Sequence, residues 1–212
     1  MEKQESAGTP PQESSALLRA ISDANPRIAR LMTNWQVTGF SIGVATSLAF
    51  DADDWKDFDK DVLLDFVDEV LHFDEEQWDD DRDTISDELI DSAQGSEIRE
   101  KATKLMVLVA AQLEMDSGRL SQDFIPSKKN KAALKEFASG LIRGFVFGIE
   151  EESELESGPW GEALSLLFIL SEQDVDPDFG SAQERGEARN AVVDAIPGLV
   201  ADLWEEVREE LE

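Results

Sequence analysis

Apolar residues recur along this chain at intervals of three and four, the spacing of one helix face, and the positions between them are largely acidic. Ile28, Leu31, Met32, Trp35, Gly39, Ile42 and Gly43 form such a stripe. Asn25-Pro26 reads as a cap followed by a proline at the first helical position, so a helix is predicted from Pro26 to about Leu48. Val62, Leu63, Phe66, Val67, Val70 and Leu71 mark a second, strongly amphipathic helix, and Ile85, Leu89 and Ile90 a weaker one behind the Asp74–Asp83 acid cluster around Trp78. Ile98, Ala102, Leu105, Met106, Val109 and Leu113 give the clearest helix, opened by Ser96 and expected at the centre. Leu134, Phe137, Leu141, Phe145 and Gly148 follow, and Trp160 to Leu170 is apolar almost all round, as expected of a core helix or an interface. A C-terminal helix over 187–211 carries Ala188, Val192, Ala195, Ile196, Leu199, Val200, Leu203, Trp204 and Val207, with Pro197 expected to kink or divide it. A short helix from Ser14 or Ser15 to about Ala24 completes the set, behind a loose tail over 1–13. Gly118 to Pro126 and Asp174 to Gly186 read as loops. Nothing alternates with period two. The pattern predicts an all-α fold, a single multihelical bundle of about eight helices over 14–212.

Two of these helices carry the same short pattern. Gly39-Phe40-Ser41-Ile42-Gly43 is followed by Trp55, and Gly144-Phe145-Val146-Phe147-Gly148 by Trp160, with sixteen residues from first glycine to tryptophan in both copies. Glycines four apart leave a smooth strip along a helix where a second backbone can come close, with the phenylalanine as a packing anchor. Each strip leads through an acidic stretch to a tryptophan at the expected start of the next helix. Asp53 or Asp54 would cap the first, and Ser157 with Gly158-Pro159 would open the second. Two helix/loop/Trp-helix units, near 26–72 and 128–171, are therefore expected, with Gly39, Phe40, Gly43, Trp55, Gly144, Phe145, Gly148 and Trp160 as packing residues.

This arrangement, from about Trp35 to Leu170, resembles the YecA/YgfB-like family of uncharacterised bacterial proteins. The sequence departs from that pattern at Thr38, where the family often has Asp or His, and at Phe137, where it usually has Trp. The resemblance implies an all-helical protein of the bacterial cytoplasm and supplies no catalytic residues. Some relatives end in a Cys/His-rich metal-binding tail; this sequence ends in Glu205-Glu-Val-Arg-Glu-Glu-Leu-Glu212 and that appendage is not expected.

Composition narrows the function classes. The chain has 212 residues, 41% of them hydrophobic, enough for one good-sized core, and no apolar run approaches the roughly 20 residues that cross a bilayer. Without cysteine there are no disulfides, no thiolate nucleophile and no zinc ribbon. A formal charge of −29, from 48 acids against 19 lysines and arginines, disfavours direct contact with nucleic acid or an anionic membrane, both polyanions, and permits a basic protein partner. The acidity also accounts for a well-solvated surface.

Candidate chemistry is sparse. Glu69-Val-Leu-His72 has the spacing of a carboxylate-bridged metal site, but His72 is the sole histidine, so the required second Glu-x-x-His is missing, as is any credible Ser-His-Asp set. His72 is expected at a helix end. Asp174-Val-Asp-Pro-Asp178-Phe-Gly180 begins like a calcium loop, yet its glycine comes one place late and Arg185 stands where the bidentate Glu belongs; in Asp51-Ala-Asp53-Asp54 the loop glycine is replaced by Lys56. Lys128-Lys-Asn-Lys131 reads as a solvated turn or helix start, and Arg143 as an exposed or snorkelling side chain. The reading is a non-enzymatic protein-interaction or adaptor module without cofactor, forming a homodimer through Trp160–Leu170 and the C-terminal helix. Its rivals are an acidic regulator that sequesters a basic nucleic-acid-binding protein and a metal-dependent hydrolase using acid clusters such as Asp79-Asp80-Asp81 and Glu150-Glu151-Glu152.

Overall fold

A computed structural model describes residues 9–24, 31–57, 60–71, 94–149, 158–171 and 182–211. These residues form seven α-helices, α1 (Pro10–Ala24), α2 (Asn34–Leu48), α3 (Lys60–Leu71), α4 (Gly95–Met115), α5 (Lys131–Phe147), α6 (Gly158–Ser171) and α7 (Ala182–Leu211), with 3-10 turns at Asp54–Asp57 and Gln122–Phe124. The fold is all-α, and no strand occurs among the described residues. His72, the Trp78 acid cluster, the weak helix expected at Ile85–Ile90, Glu150–Glu152 and the calcium-like loop at Asp174–Gly180 all lie outside them.

The helix starts explain two departures from expectation. α1 begins at Pro10, not Ser14, because Thr9-Pro10-Pro11-Gln12 is itself a cap: the Thr9 carbonyl accepts from the Gln12 and Glu13 N–H groups, while the Thr9 N–H donates to Gln12 Oε1 at 3.0 Å. The loose tail therefore stops short of Glu13, which is buried. α2 begins at Asn34 rather than Pro26. Residues 31–33 are not helical, and Thr33 and Gln36 close a reciprocal capping box, Gln36 N–H to Thr33 Oγ1 at 3.3 Å and Thr33 N–H to Gln36 Oε1 at 2.7 Å. Asn25, Pro26 and Ile28 lie outside the described residues.

Helix α2 is the centre of the bundle, a place the sequence pattern assigns to α4. Every residue from Gln36 to Ser47 is buried, against α1, α4, α5 and α7, and Phe40 meets Phe66 of α3 at 5.1 Å between ring centroids. An unpartnered buried hydroxyl costs on the order of 1–3 kcal/mol. The hydroxyls of α2 avoid that cost by bonding back to their own helix: Thr38 to Asn34 O at 2.7 Å, Ser41 to Val37 O at 2.8 Å and Thr46 to Ile42 O at 2.7 Å. α4 buries the predicted stripe, Ile98 to Leu113, and exposes its other face, so it flanks the centre.

Toward the C-terminus, α6 buries Trp160, Ala163, Leu164, Leu167 and Leu170 but leaves Phe168 51% exposed, so its apolar circumference is only half used. α7 starts at Ala182, five residues before the expected 187, and continues through Pro197 without division. Proline costs α7 one backbone hydrogen bond there, while Val193, Ile196 and Val200 remain buried on the core side. The basic Lys128–Lys131 stretch is a turn and helix start as expected: Asn130 Oδ1 accepts from Ala133 N–H at 3.2 Å, and Lys128 pairs with Asp194.

Candidate functional site

The repeated glycines lie on a single seam, where α2 and α5 run in parallel with their backbones in contact. A Cβ placed on Gly39 would fall inside 3.0 Å of Phe137 O, one on Gly140 inside that distance of Gln36 O, one on Gly43 at 2.6 Å from Leu141 O, and one on Gly144 inside 3.0 Å of Phe40 O. Side chains at these four positions would force the helices apart. Gly43 and Gly144 thus meet directly, while Gly39 faces Phe137 and Leu141 and Gly140 faces Gln36. The sequence motif instead aligns Gly39 with Gly144 and Gly43 with Gly148, one helical turn away. Gly148, the C-cap of α5, faces the Ser47 side chain. Gly140 is the seam residue that the Gly-Phe motif overlooks, although its spacing of four from Gly144 is the detectable signal.

The aromatic residues of the motif do not behave alike. Phe145 packs edge-on against Trp160 at 5.3 Å, in the first turn of α6, as expected. Trp55 sits in the 3-10 turn rather than at an α-helix start, and packs against Phe50 at 5.4 Å, while Phe40 packs against Phe66 and Phe147. Arg143 is neither fully exposed nor snorkelling: its Nη2 donates to Glu69 Oε2 at 2.6 Å, with both side chains 29% exposed, and ties α5 to α3. Glu69, a candidate metal ligand by spacing, is thereby an ion-pair partner. Among the described residues no three acidic or histidine side chains converge as a metal site.

A cleft of about 550 Å³ opens where the C-terminal ends of α2, α4 and α7 approach one another, lined by Asp51, Ala52, Asp53, Asp54, Glu114, Ser117, Trp204 and Arg208. Each wall has a local cause. Ala49, at φ 47°, ends α2 and turns the chain into Asp51. The Asp51 carbonyl then accepts from Asp54 N–H at 3.0 Å, and Asp51 N–H donates to Asp54 Oδ2 at 3.0 Å, so Asp54 braces this turn instead of capping a helix at Trp55. Ala52 N–H donates to Glu114 Oε1, joining the turn to the end of α4. Ser117 and Gly118, at φ 50° and 81°, carry the chain out of α4, and a Cβ on Gly118 would lie 2.8 Å from Ala201 Cα of α7. Only glycine gives that close approach without strain.

The electrostatics are one-sided. Asp51, Asp53, Asp54 and Glu114 supply four carboxylates, and helix C-termini add the negative ends of their dipoles. The Lys56 ammonium, bonded to Asp53 and opposite in charge, holds the Asp53 carboxyl below its usual range and is itself raised in return. Arg208 is the one cationic side chain in the lining. Its guanidinium lies 4.7 Å from the centroid of the Trp204 ring, and its Nη1 donates to Asp51 Oδ1 at 2.8 Å. Glu206, on the same helix, has one oxygen buried without a partner; burial, then Glu210 and Glu209, raise its pKa. No family model, curated protein or solved structure matches the chain. Among the described residues no helix is long and apolar enough to cross a membrane.

Proposed function

We propose that the chain is a non-enzymatic protein-interaction module that docks a basic segment of a partner protein in the cleft between the Asp51–Asp54 turn and the end of α7. The observation that carries this reading is the convergence of four carboxylates and three helix C-termini around one concave surface. Such a surface favours cations and repels polyanions, so it suits a basic protein better than nucleic acid itself. Sequestering a basic nucleic-acid-binding protein is one form of the same activity. The acid clusters on which metal-dependent hydrolysis would rest, Asp79–Asp81 and Glu150–Glu152, lie outside the described residues. Membership of the YecA/YgfB-like family, two duplicated helix/loop/Trp-helix units and a cytoplasmic setting belong to this proposal and rest on the sequence motif.

The test is capture from cytoplasmic extract at low and high salt, comparing wild type with an Asp51→Asn, Asp54→Asn, Glu114→Gln variant. Amides keep the acceptor oxygens that brace the Asp51 turn while removing three charges. A partner held by wild type at low salt, and lost by the variant, is the expected result. Equal capture by both would show that the cleft is not the docking surface. The proposal also includes a homodimer through the exposed Phe168 side of α6, and sedimentation giving a single 23.5 kDa species at micromolar concentration would contradict it.

A further inference from the structure

The cleft already holds a guanidinium, and it belongs to the chain. Arg208 lies over Trp204, pairs with Asp51, and is the lone cation among lining residues that include four carboxylates. A planar guanidinium held by the Trp204 face as well as by Asp51 of the acid cluster shows which ligand chemistry the walls accommodate. The pair is also easily opened: the Arg208 and Asp51 side chains are 38% and 53% exposed, so solvent screens their attraction.

We propose that Arg208 is an internal occupant of the cleft, an autoinhibitory contact that an arginine of the partner's basic segment must displace. This rests on the reading of the cleft as a docking site, and it adds the partner's chemistry and a built-in competitor. Displacement exchanges one guanidinium for another over the same ring, so the gain comes from the partner's remaining positive charges on Asp54 and Glu114, Asp53 being already paired with Lys56. A single arginine would compete poorly; several in one segment would prevail.

The experiment is a fluorescence-anisotropy titration of a labelled hexa-arginine peptide at low ionic strength against the full chain and three variants, Arg208→Gln, Arg208→Lys and Arg99→Gln. Arg99 is exposed on α4, so its variant repeats the change in net charge at a position outside the lining. Melting curves establish that each variant is folded. Arg208→Gln is expected to bind the peptide roughly three- to tenfold more tightly than Arg99→Gln, the scale of losing one exposed cation–π and ion-pair competitor. Arg208→Lys should fall between Arg208→Gln and wild type. If Arg208→Gln binds no more tightly than Arg99→Gln, Arg208 is not a competitor; if it binds more weakly, Arg208 is part of the docking surface, and the cleft reading survives without autoinhibition. If none of the four proteins binds, the cleft reading falls and this proposal with it. Should Arg208→Gln fail to fold, Arg208→Lys against wild type decides, and equal affinity overturns the proposal.

Discussion

At single positions, the seam between α2 and α5 gives the sharpest expectations. A methyl group on Gly140 would meet Gln36 O inside 3.0 Å, whereas one on Gly186 would meet nothing within 4 Å. Gly140→Ala should therefore destabilise the chain by about 3 kcal/mol through overpacking, and Gly186→Ala should stabilise it by about 0.5–1 kcal/mol by restraining the unfolded backbone. Urea denaturation measures both; similar effects at the two sites would contradict the seam. Glu206 gives a test with a sign. Its carboxyl binds a proton more tightly in the folded chain than in the unfolded one, so stability falls as pH rises from the unfolded pKa through the folded one. Glu206→Gln should raise the melting temperature at pH 7 and bring no gain below pH 4, where wild type is already protonated. Much at this scale was legible in the sequence and some was passed over. Thr9-Pro10-Pro11-Gln12 is a readable cap and Gly140-Gly144 a readable pair, but Pro-Pro also fits a tail and the Gly-Phe motif points one turn further on. Arg143 is different: nothing in a linear pattern tells that Glu69, 74 residues away, will face it.

For whole helices, periodicity located most segments and failed to rank them. α2 carries six polar residues and reads as a one-sided apolar stripe, while α6 is apolar nearly all round, yet α2 is enclosed from Gln36 to Ser47 and α6 exposes Phe168. The difference lies in side-chain size. Gly39, Ser41, Gly43, Ala45 and Ser47 let neighbouring backbones close around α2, while Leu166, Phe168 and Ile169 keep α6 bulky, and a hydrophobicity pattern does not separate small from large. The Arg143–Glu69 pair is a test of docking between elements. Both groups are partly shielded, so Arg143→Met should cost about 1–2 kcal/mol, between the values of exposed and buried pairs. Glu69→Gln combined with it should add little further. Full additivity in that double-mutant cycle would mean that the pair does not hold α3 to α5.

For the molecule as a whole, the net charge of −29 is legible from composition, but the meeting of four carboxylates at one cleft is not. Asp51 to Asp54, Glu114 and Arg208 are far apart in the chain and meet only because α2, α4 and α7 end at the same place. Among the described residues, the fold joins the Asp51–Asp54 stretch to helix ends, an aromatic ring and a concave wall. A generally acidic surface and a specific docking cleft both attract a basic peptide, and salt weakens both. They differ in where the peptide sits. Backbone amide NMR of the 15N-labelled chain, titrated with hexa-arginine at moderate salt, measures that directly. Saturable shifts confined to Asp51–Asp54, Glu114–Ser117 and Trp204–Arg208 are the expected result, whereas small non-saturating shifts spread over all acidic stretches would contradict a specific cleft.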